Sequence, residues 1–186
     1  EPLLAIGKAF PAEYRLTSAP VDDDQARTYF ATAFADKEAG RAYPYAVIHR
    51  EDSAVIGSTR LTDINWRHRH CELGYTWFHP NFHGSSVNVE SKLLILTFAF
   101  EVLELHRVQI HTDTRNERSQ RAIRALGATQ EGILRRHMVV KEGYVRDTMV
   151  FSVVDTEWPQ VKEHIESRIR RKGSDPAIRL ELPQRT

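Results

Sequence analysis

Three small residues stand at the centre of the segment His79–Glu90, where the residue types most clearly suggest chemistry. The segment reads HPNFHGSSVNVE, and Gly84, Ser85 and Ser86 lie just before a long apolar run. Small residues let backbone N–H groups converge, and the first turn of a helix leaves several such donors unpaired beside about half a positive charge. This arrangement binds phosphate. We therefore predict an anion site here, with the alternative that strand-to-helix turns commonly contain Gly and Ser.

The flanking segments predict the elements that would position this turn. Residues 71–78 (CELGYTWF) are rich in aromatic residues and predict a strand that Pro80 ends. Residues 87–105 predict a mostly buried helix, because nearly every position from Leu93 onward is apolar outside one polar stripe.

The rest of the chain predicts a mixed α/β (α+β) fold. Helices are predicted for residues 3–10, 22–39, 117–126 and 158–172, and strands for 45–49, 54–64, 107–112, 130–140 and 144–154. We predict a single domain over residues 1–186, with an unstructured tail at 173–186. Because the chain begins EPLLAIGKAF without an initiator methionine, we also expect that an N-terminal element is missing.

Composition narrows the class of protein. The formal net charge is +1, so no global field favours a nucleic-acid partner. The single cysteine, Cys71, excludes an intramolecular disulfide and favours a reducing, cytoplasmic setting. No apolar run reaches the roughly 18 residues of a membrane span, since Glu101 and Glu104 interrupt the best candidate. The nine histidines show no metal-ligand spacing, so no metal is predicted.

The order of three motifs resembles that of a known family. The strand CELGYTWF leads into HPNFHGSSVNVESKLL, then comes HRVQIHTDTRNERSQRAIRALGATQEGILRRH, and finally VRDTMVFSV. Together they resemble the GNAT superfamily of acyl-CoA N-acyltransferases, specifically its RimJ/RimL-type branch of ribosomal-protein alanine N-acetyltransferases. The resemblance covers residues 45–168. It implies a GNAT fold with a mixed, mostly antiparallel central sheet flanked by helices, acetyl-CoA as donor, and transfer of its acetyl group to an amine.

The resemblance implies a set of cofactor-binding residues. The family's phosphate loop, Q/R-x-x-G-x-G/A, maps onto residues 81–86, where Asn81 and Ser86 depart from the pattern and Gly84 fits. A backbone N–H near Trp77 or Phe78 would polarise the thioester carbonyl. Core packing is an equal alternative for the aromatic side chains. The predicted cofactor-binding residues are Trp77, Phe78, Phe82, His83, Gly84, Ser85, Ser86, Val87, Asn88, Asn116 and Ser119.

Asn116 and Ser119 match the Asn-x-x-Ser of this branch. The asparagine resembles a contact to the pantetheine arm, and the serine hydroxyl resembles a group near the coenzyme sulfur. Asn116 is also a favoured helix cap, and both roles can hold because a cap uses only the side-chain oxygen. Many superfamily members carry a tyrosine where this chain has Ile123. Ser119, or a water that it holds, would then protonate the leaving thiolate.

Acyl transfer to an amine needs a neutral amine. Possible acceptors therefore differ in the free energy needed to deprotonate them. Deprotonating lysine at pH 7 costs about 4.6 kcal/mol, whereas an α-amino group costs only about 1 kcal/mol. Glu72 is our first candidate for the base, because it matches an acidic strand position of several superfamily members. His70 and His111 are rivals, since histidine titrates near neutrality. A solvent-facing residue, or a partner for Arg67 or Arg69, is the alternative for Glu72.

Several functions stay open at this point. The acceptor can be a protein N-terminal α-amine or a small molecule such as an antibiotic or a polyamine. A different class is a non-catalytic sensor that binds coenzyme A, or an RNA-associated module using the basic runs at 67–70 and 135–137. We favour solvated faces for those runs and for Arg168–Lys172. We expect no membrane partner and no nucleic acid, and an exposed strand edge makes a homodimer reasonable.

Overall fold

The computed structural model describes residues 1–171 and 177–181, and its helices and strands follow the predicted order. The α-helices of this part of the chain are Pro2–Ala9 (α1), Asp23–Glu38 (α2), Val87–Thr97 (α3), Glu117–Arg124 (α4) and Trp158–Arg171 (α5). Its strands are Tyr43–His49 (β1), Val55–Asn65 (β2), His70–Phe78 (β3), Arg107–Asp113 (β4), Thr129–Val139 (β5), Val145–Val154 (β6) and Ile178–Glu181 (β7).

The strands form one sheet in the order β5-β6-β4-β3-β2-β1-β7. Every neighbouring pair is antiparallel except β3 and β4, which run parallel. Alternating residues of these strands face a large apolar cluster to which α3 and α5 also contribute, with Leu96, Val108, Phe151 and Ile165 fully buried in it. The mixed, mostly antiparallel sheet flanked by helices is thus confirmed.

Local signals explain where the helices begin. The Asp22 carboxylate accepts a hydrogen bond from Gln25 N at 2.7 Å and caps α2. Asn116 caps α4 in the same way, through Ser119 N at 3.0 Å. No helix in the described part of the chain combines the length and apolar character needed to cross a membrane.

The predicted helix over residues 87–105 is wrong in its second half. The α-helix ends at Thr97, and a π-helical turn follows from Phe98 to Val102. Leu103 N donates to Phe98 O across five residues at 3.0 Å. Apolar residues on every side of this turn allow the change of register, because Ala99 and Phe100 stay buried through it.

The predicted unstructured tail is also wrong where the structure describes it. Residues 178–181 pair with β1 as an antiparallel strand, and Ile178 is 2% exposed. Four residues are too few for a periodicity signal, and the strand forms because β1 offers an unpaired edge. Residues 173–176 and 182–186 of the predicted tail lie outside the described residues. At the opposite edge lies β5, so the predicted homodimer through a strand edge stays a prediction.

Candidate active site

The parallel strands β3 and β4 pair briefly and then separate. Their ladder runs only from His70 opposite Arg107 to Glu72 opposite Gln109, although β3 continues to Phe78. A gap therefore opens in the middle of the sheet directly after Glu72. Because backbone N–H and C=O groups line such a gap, it can accept a polar chain between the strands.

A bulge lies in the part of β3 that follows this ladder. Arg60 of β2 lies opposite Gly74, whereas Ser58 lies opposite Trp77, so two residues of β3 face one of β2. Tyr75 in the bulge has a positive φ of 52°. This irregularity lies immediately before Trp77, beside the predicted position of the backbone N–H donor. The assignment of a backbone N–H there to the thioester carbonyl stays a prediction.

The aromatic side chains at the end of β3 belong to the hydrophobic core. Trp77 is 3% exposed and packs with Tyr14 near α1, and Phe78 is 6% exposed and packs with Val87. Phe82 is partly buried against the same cluster as Phe78. Packing, the alternative given above, accounts for the side chains of Trp77 and Phe78, which pair with β2 through Ser58 and Gly57.

Two of our candidate bases meet at the start of the gap. Glu72 Oε2 of β3 lies 2.8 Å from His111 Nδ1 of β4, with 19% and 12% of the two side chains exposed. Among the described residues, Glu72 forms its ion pair with His111 and not with Arg67 or Arg69. Arg69 pairs with Glu104 instead. The third candidate, His70, lies at the beginning of β3 and contacts His68. The structure therefore joins Glu72 and His111 into one pair and leaves His70 apart.

Residues of the β5–β6 hairpin surround this pair, and the sequence reasoning missed them. The His137 ring packs edge-on against His111 with centroids 6.0 Å apart, and its Nδ1 lies 3.0 Å from Thr148 Oγ1. Arg146 Nε donates to the same hydroxyl at 2.8 Å. A register shift between Leu134 and Met138, where Arg136 has a φ of 49°, turns His137 toward His111. Residues 135–137 are exposed, as predicted for this basic run, but no periodicity could have located the bulge that places His137 beside the pair.

The loop at residues 79–86 already uses part of its own hydrogen-bonding capacity. Phe82 N and His83 N donate to His79 O and Pro80 O at 2.9 Å, and Ser85 N donates to Phe82 O at 3.3 Å. Gly84 has a φ of 79°, and a Cβ placed there would meet nothing within 4 Å. The loop is thus a tight turn with an exposed tip at its only glycine.

The donors that point to an anion come from the first turn of α3. Ser86 is its N-cap residue and makes no side-chain capping hydrogen bond. Within the described part of the chain the amides of Ser86, Asn88 and Val89 have no acceptor, while Val87 N reaches Ser85 Oγ at 3.3 Å. These donors and the positive end of the helix dipole fit a phosphate group.

A cationic side chain that we did not predict lies beside the loop. Arg118 of α4 contacts His83 Nδ1 at 3.0 Å and Glu13 Oε2 at 3.4 Å. Burial lowers the pKa of His83, and the Arg118 guanidinium adds to this effect. Arg118 therefore connects α4 to the loop, with its charge close to the predicted phosphate site.

Asn116 and Ser119 lie at the N-terminus of α4, on the β4 side of the gap. The Asn116 side-chain oxygen caps the helix, and its amide donors have no partner among the described residues. The Ser119 hydroxyl likewise has none there. Ile123, at the usual tyrosine position, is 5% exposed within the main apolar cluster. The chain therefore has a buried aliphatic side chain, and no phenol, at this position. The role of Ser119 as the proton donor stays a prediction.

The side chains that could bind a metal are spread through the fold. Among residues 1–171 and 177–181, no group of three or more His, Cys, Asp and Glu side chains could hold a metal ion.

Comparison with known proteins places this architecture in a family. The family model described as "Acetyltransferase (GNAT) domain" matches residues 8–129. The split parallel pair, the helix N-terminus beside it and this match define an acyl-CoA acyltransferase fold. The chain belongs to the GNAT acetyltransferase family.

Individual relatives support the RimJ/RimL-like branch at modest identity. "Putative ribosomal N-acetyltransferase YdaF" of Bacillus subtilis is 31% identical over 107 residues, which span 58% of this chain and 57% of that protein. A GCN5-related N-acetyltransferase structure from Brucella melitensis is 28% identical with a TM-score of 0.78, covering 89% of this chain and 75% of that one. RimJ of Mycobacterium smegmatis, in complex with CoA-disulfide, has a TM-score of 0.75 at 18% identity, covering 90% and 83%. The last comparison supports the fold alone.

Proposed function

We propose that this protein transfers the acetyl group of acetyl-CoA to the α-amine of a protein or peptide N-terminus. The observation that carries the proposal is the Glu72–His111 pair, placed where β3 and β4 separate. A carboxylate or an imidazole within reach of the reacting amine can act as its general base. A base at the opening of this gap would stand beside an acyl group held between the strands.

The donor would bind along the gap. The first turn of α3, with Ser86, Asn88 and the flanking residues of the loop, would hold the diphosphate, and Arg118 would add a positive charge. Asn116 would donate its free amide hydrogens to the pantetheine arm. The residues present therefore fit a CoA ester, since both the anion donors and a polar passage are present.

The chemical step follows from these positions. The neutral amine nitrogen attacks the thioester carbonyl carbon, and the C–S bond then breaks. The pair formed by Glu72 and His111 takes the proton that the amine loses, and the Ser119 hydroxyl, or water that it holds, passes a proton from solvent to the leaving thiolate. Stabilising the carbonyl oxygen would need a backbone donor of the bulged part of β3.

The acceptor follows from proton energetics. A carboxylate–imidazole pair is a modest base, which suffices for the roughly 1 kcal/mol needed by an α-amine at pH 7. A lysine side chain would need about 4.6 kcal/mol. The similarity to a protein named for ribosomal N-acetylation supports the same choice.

Thiol release from acetyl-CoA tests the proposal. One peptide beginning with alanine is compared with the same peptide blocked at its N-terminus and carrying a free lysine, and with spermidine. We expect thiol release and a mono-acetylated product mainly with the first. Faster acetylation of spermidine would indicate a polyamine acceptor instead of an N-terminal α-amine. Binding of coenzyme A without thiol release for any amine would indicate a sensor.

A further inference from the structure

A buried arginine near the Glu72–His111 pair has two nitrogens without a hydrogen-bond partner in the described structure. Arg60 of β2 is 1% exposed, and its Nε and Nη1 are buried without an acceptor in the described structure. Its Nη2 makes one long contact, 3.5 Å to Tyr29 O. A buried guanidinium without a carboxylate partner is costly, so its retention points to a ligand.

Arg60 lies on the same face of the sheet as Glu72. In the β2–β3 register Arg60 is opposite Gly74 and Thr62 is opposite Glu72, and residues two apart on a strand share a face. Glu72 leans over the neighbouring glycine, since a Cβ on Gly74 would lie 3.1 Å from Glu72 Oε1. The missing side chain at position 74 therefore lets the Glu72 carboxylate lie over Gly74, the residue directly opposite Arg60.

Two tyrosine rings hold the guanidinium in place. Its Cζ lies 4.0 Å from the centre of the Tyr75 ring and 4.9 Å from that of Tyr29. Tyr29 is itself fixed, because its hydroxyl contacts Ser58 Oγ at 3.0 Å and accepts from Trp77 Nε1 at 3.3 Å. Tyr75 is half-buried in the bulge. An oxygen of a ligand would reach Nε and Nη1 when the Tyr75 ring rotates off the guanidinium.

We propose that Arg60 recognises the acceptor by binding an oxygen on the carbon next to the one that bears the reacting amine. The acceptor class is then an α-amino carbonyl compound, in which the amine reaches Glu72 and the carbonyl or carboxylate oxygen reaches Arg60. The inference rests on the proposed function and specifies its acceptor site. A free amino acid offers a carboxylate and a peptide N-terminus offers a carbonyl, and both present the same oxygen to the guanidinium.

The test uses a ratio that cancels differences in amine basicity. The kcat/KM for alanine amide is divided by that for propylamine, in the wild type and in Arg60→Met. We expect this ratio to fall about 10- to 100-fold in the variant, through the KM of alanine amide, with the KM of acetyl-CoA unchanged. A merely structural role of Arg60 would lower kcat/KM equally for both acceptors. The ratio would then stay unchanged, and this result would overturn the proposal. Arg27→Met, at an exposed arginine of α2, is the matched control.

A second measurement needs no variant and covers the case in which Arg60→Met does not fold. Lactate and lactamide carry a hydroxyl in place of the amine and cannot be acetylated on nitrogen. We expect one or both to inhibit the wild type competitively with the amine. Stronger inhibition by lactate would show that Arg60 binds a carboxylate of the acceptor, and stronger inhibition by lactamide would show that it binds a carbonyl. No inhibition by either compound would refute the role of Arg60. If no amine releases thiol, the proposed function fails instead.

Discussion

Oε2 of Glu72, the last β3 residue paired with β4, lies 2.8 Å from Nδ1 of His111, which is two residues beyond that pair on β4. When His111 carries its proton on Nδ1, this contact leaves Nε2 as an acceptor. Two residues that compete as single bases in the sequence therefore form one unit in the structure. The proton can be taken by the carboxylate or by the imidazole that it orients.

Glu72→Gln should lower kcat/KM about 100-fold at pH 7, because the variant removes the negative charge of the pair. The loss should shrink as the pH rises, since solvent then supplies the neutral amine. A pH–rate profile with an N-terminal peptide measures this effect. Glu104→Gln is the control, because Glu104 is an exposed partner of Arg69. An equal loss at every pH would remove Glu72 as base.

A double variant tests whether the two residues act as one unit. His111→Asn alone should cost about as much as Glu72→Gln, and the two together should cost little more. Kinetics of the three variants at pH 7 measure this coupling. Additive losses would show that the two residues serve separate steps.

The helices and strands could be predicted from the sequence more completely than the residues of the candidate site. Caps such as Asp22 and Asn116, and the alternation in β4, are local signals, and the helices and strands that they predict are present. The position of His137 depends on a bulge, and that of Arg60 on the β2–β3 register. Such pairings are set by contacts between distant segments, so neither residue carried a local signal.

Lys92 should make the stability of the protein depend on pH. Burial lowers the pKa of Lys92 from 10.5 to about 7, and its Nζ donates to Thr76 Oγ1 at 2.6 Å. Between pH 7 and 10.5 the unfolded chain binds a proton that the folded chain does not, so the free energy of unfolding rises with pH across this window.

Lys92→Met should therefore be more stable than the wild type at pH 7, by at most about 5 kcal/mol. The difference should shrink toward pH 10.5 and vanish above it, where both states of the wild type carry a neutral amine. Urea unfolding at several pH values measures it, with the exposed Lys8→Met as control. Parallel curves for wild type and Lys92→Met would contradict the prediction.

Conservative substitutions can separate the proposed functional roles of Asn116 and Ser119 from their structural roles in capping α4. Asn116→Ser keeps an oxygen that can cap α4 but removes the amide donors, so the KM of acetyl-CoA should rise several-fold at nearly constant stability. Ser119→Ala keeps the backbone N–H that the cap uses, so it should lower kcat about tenfold without unfolding the helix. Thermal melts accompany the kinetics. A parallel loss of stability and activity would indicate that both residues only build the helix.

The loop assignment can be tested with two glycines of matched conformation. Gly84 has a φ of 79° and Gly143 a φ of 71°, and a Cβ at either meets nothing within 4 Å. Valine at either position strains the backbone by a similar amount, about 1–2 kcal/mol, because branched residues avoid positive φ. Only Gly84 lies beside the first turn of α3, so Gly84→Val should weaken coenzyme A binding at least tenfold, while Gly143→Val in the β5–β6 turn should leave it unchanged. Calorimetric titration of both variants measures the difference, and equal affinities would exclude the loop as the diphosphate site.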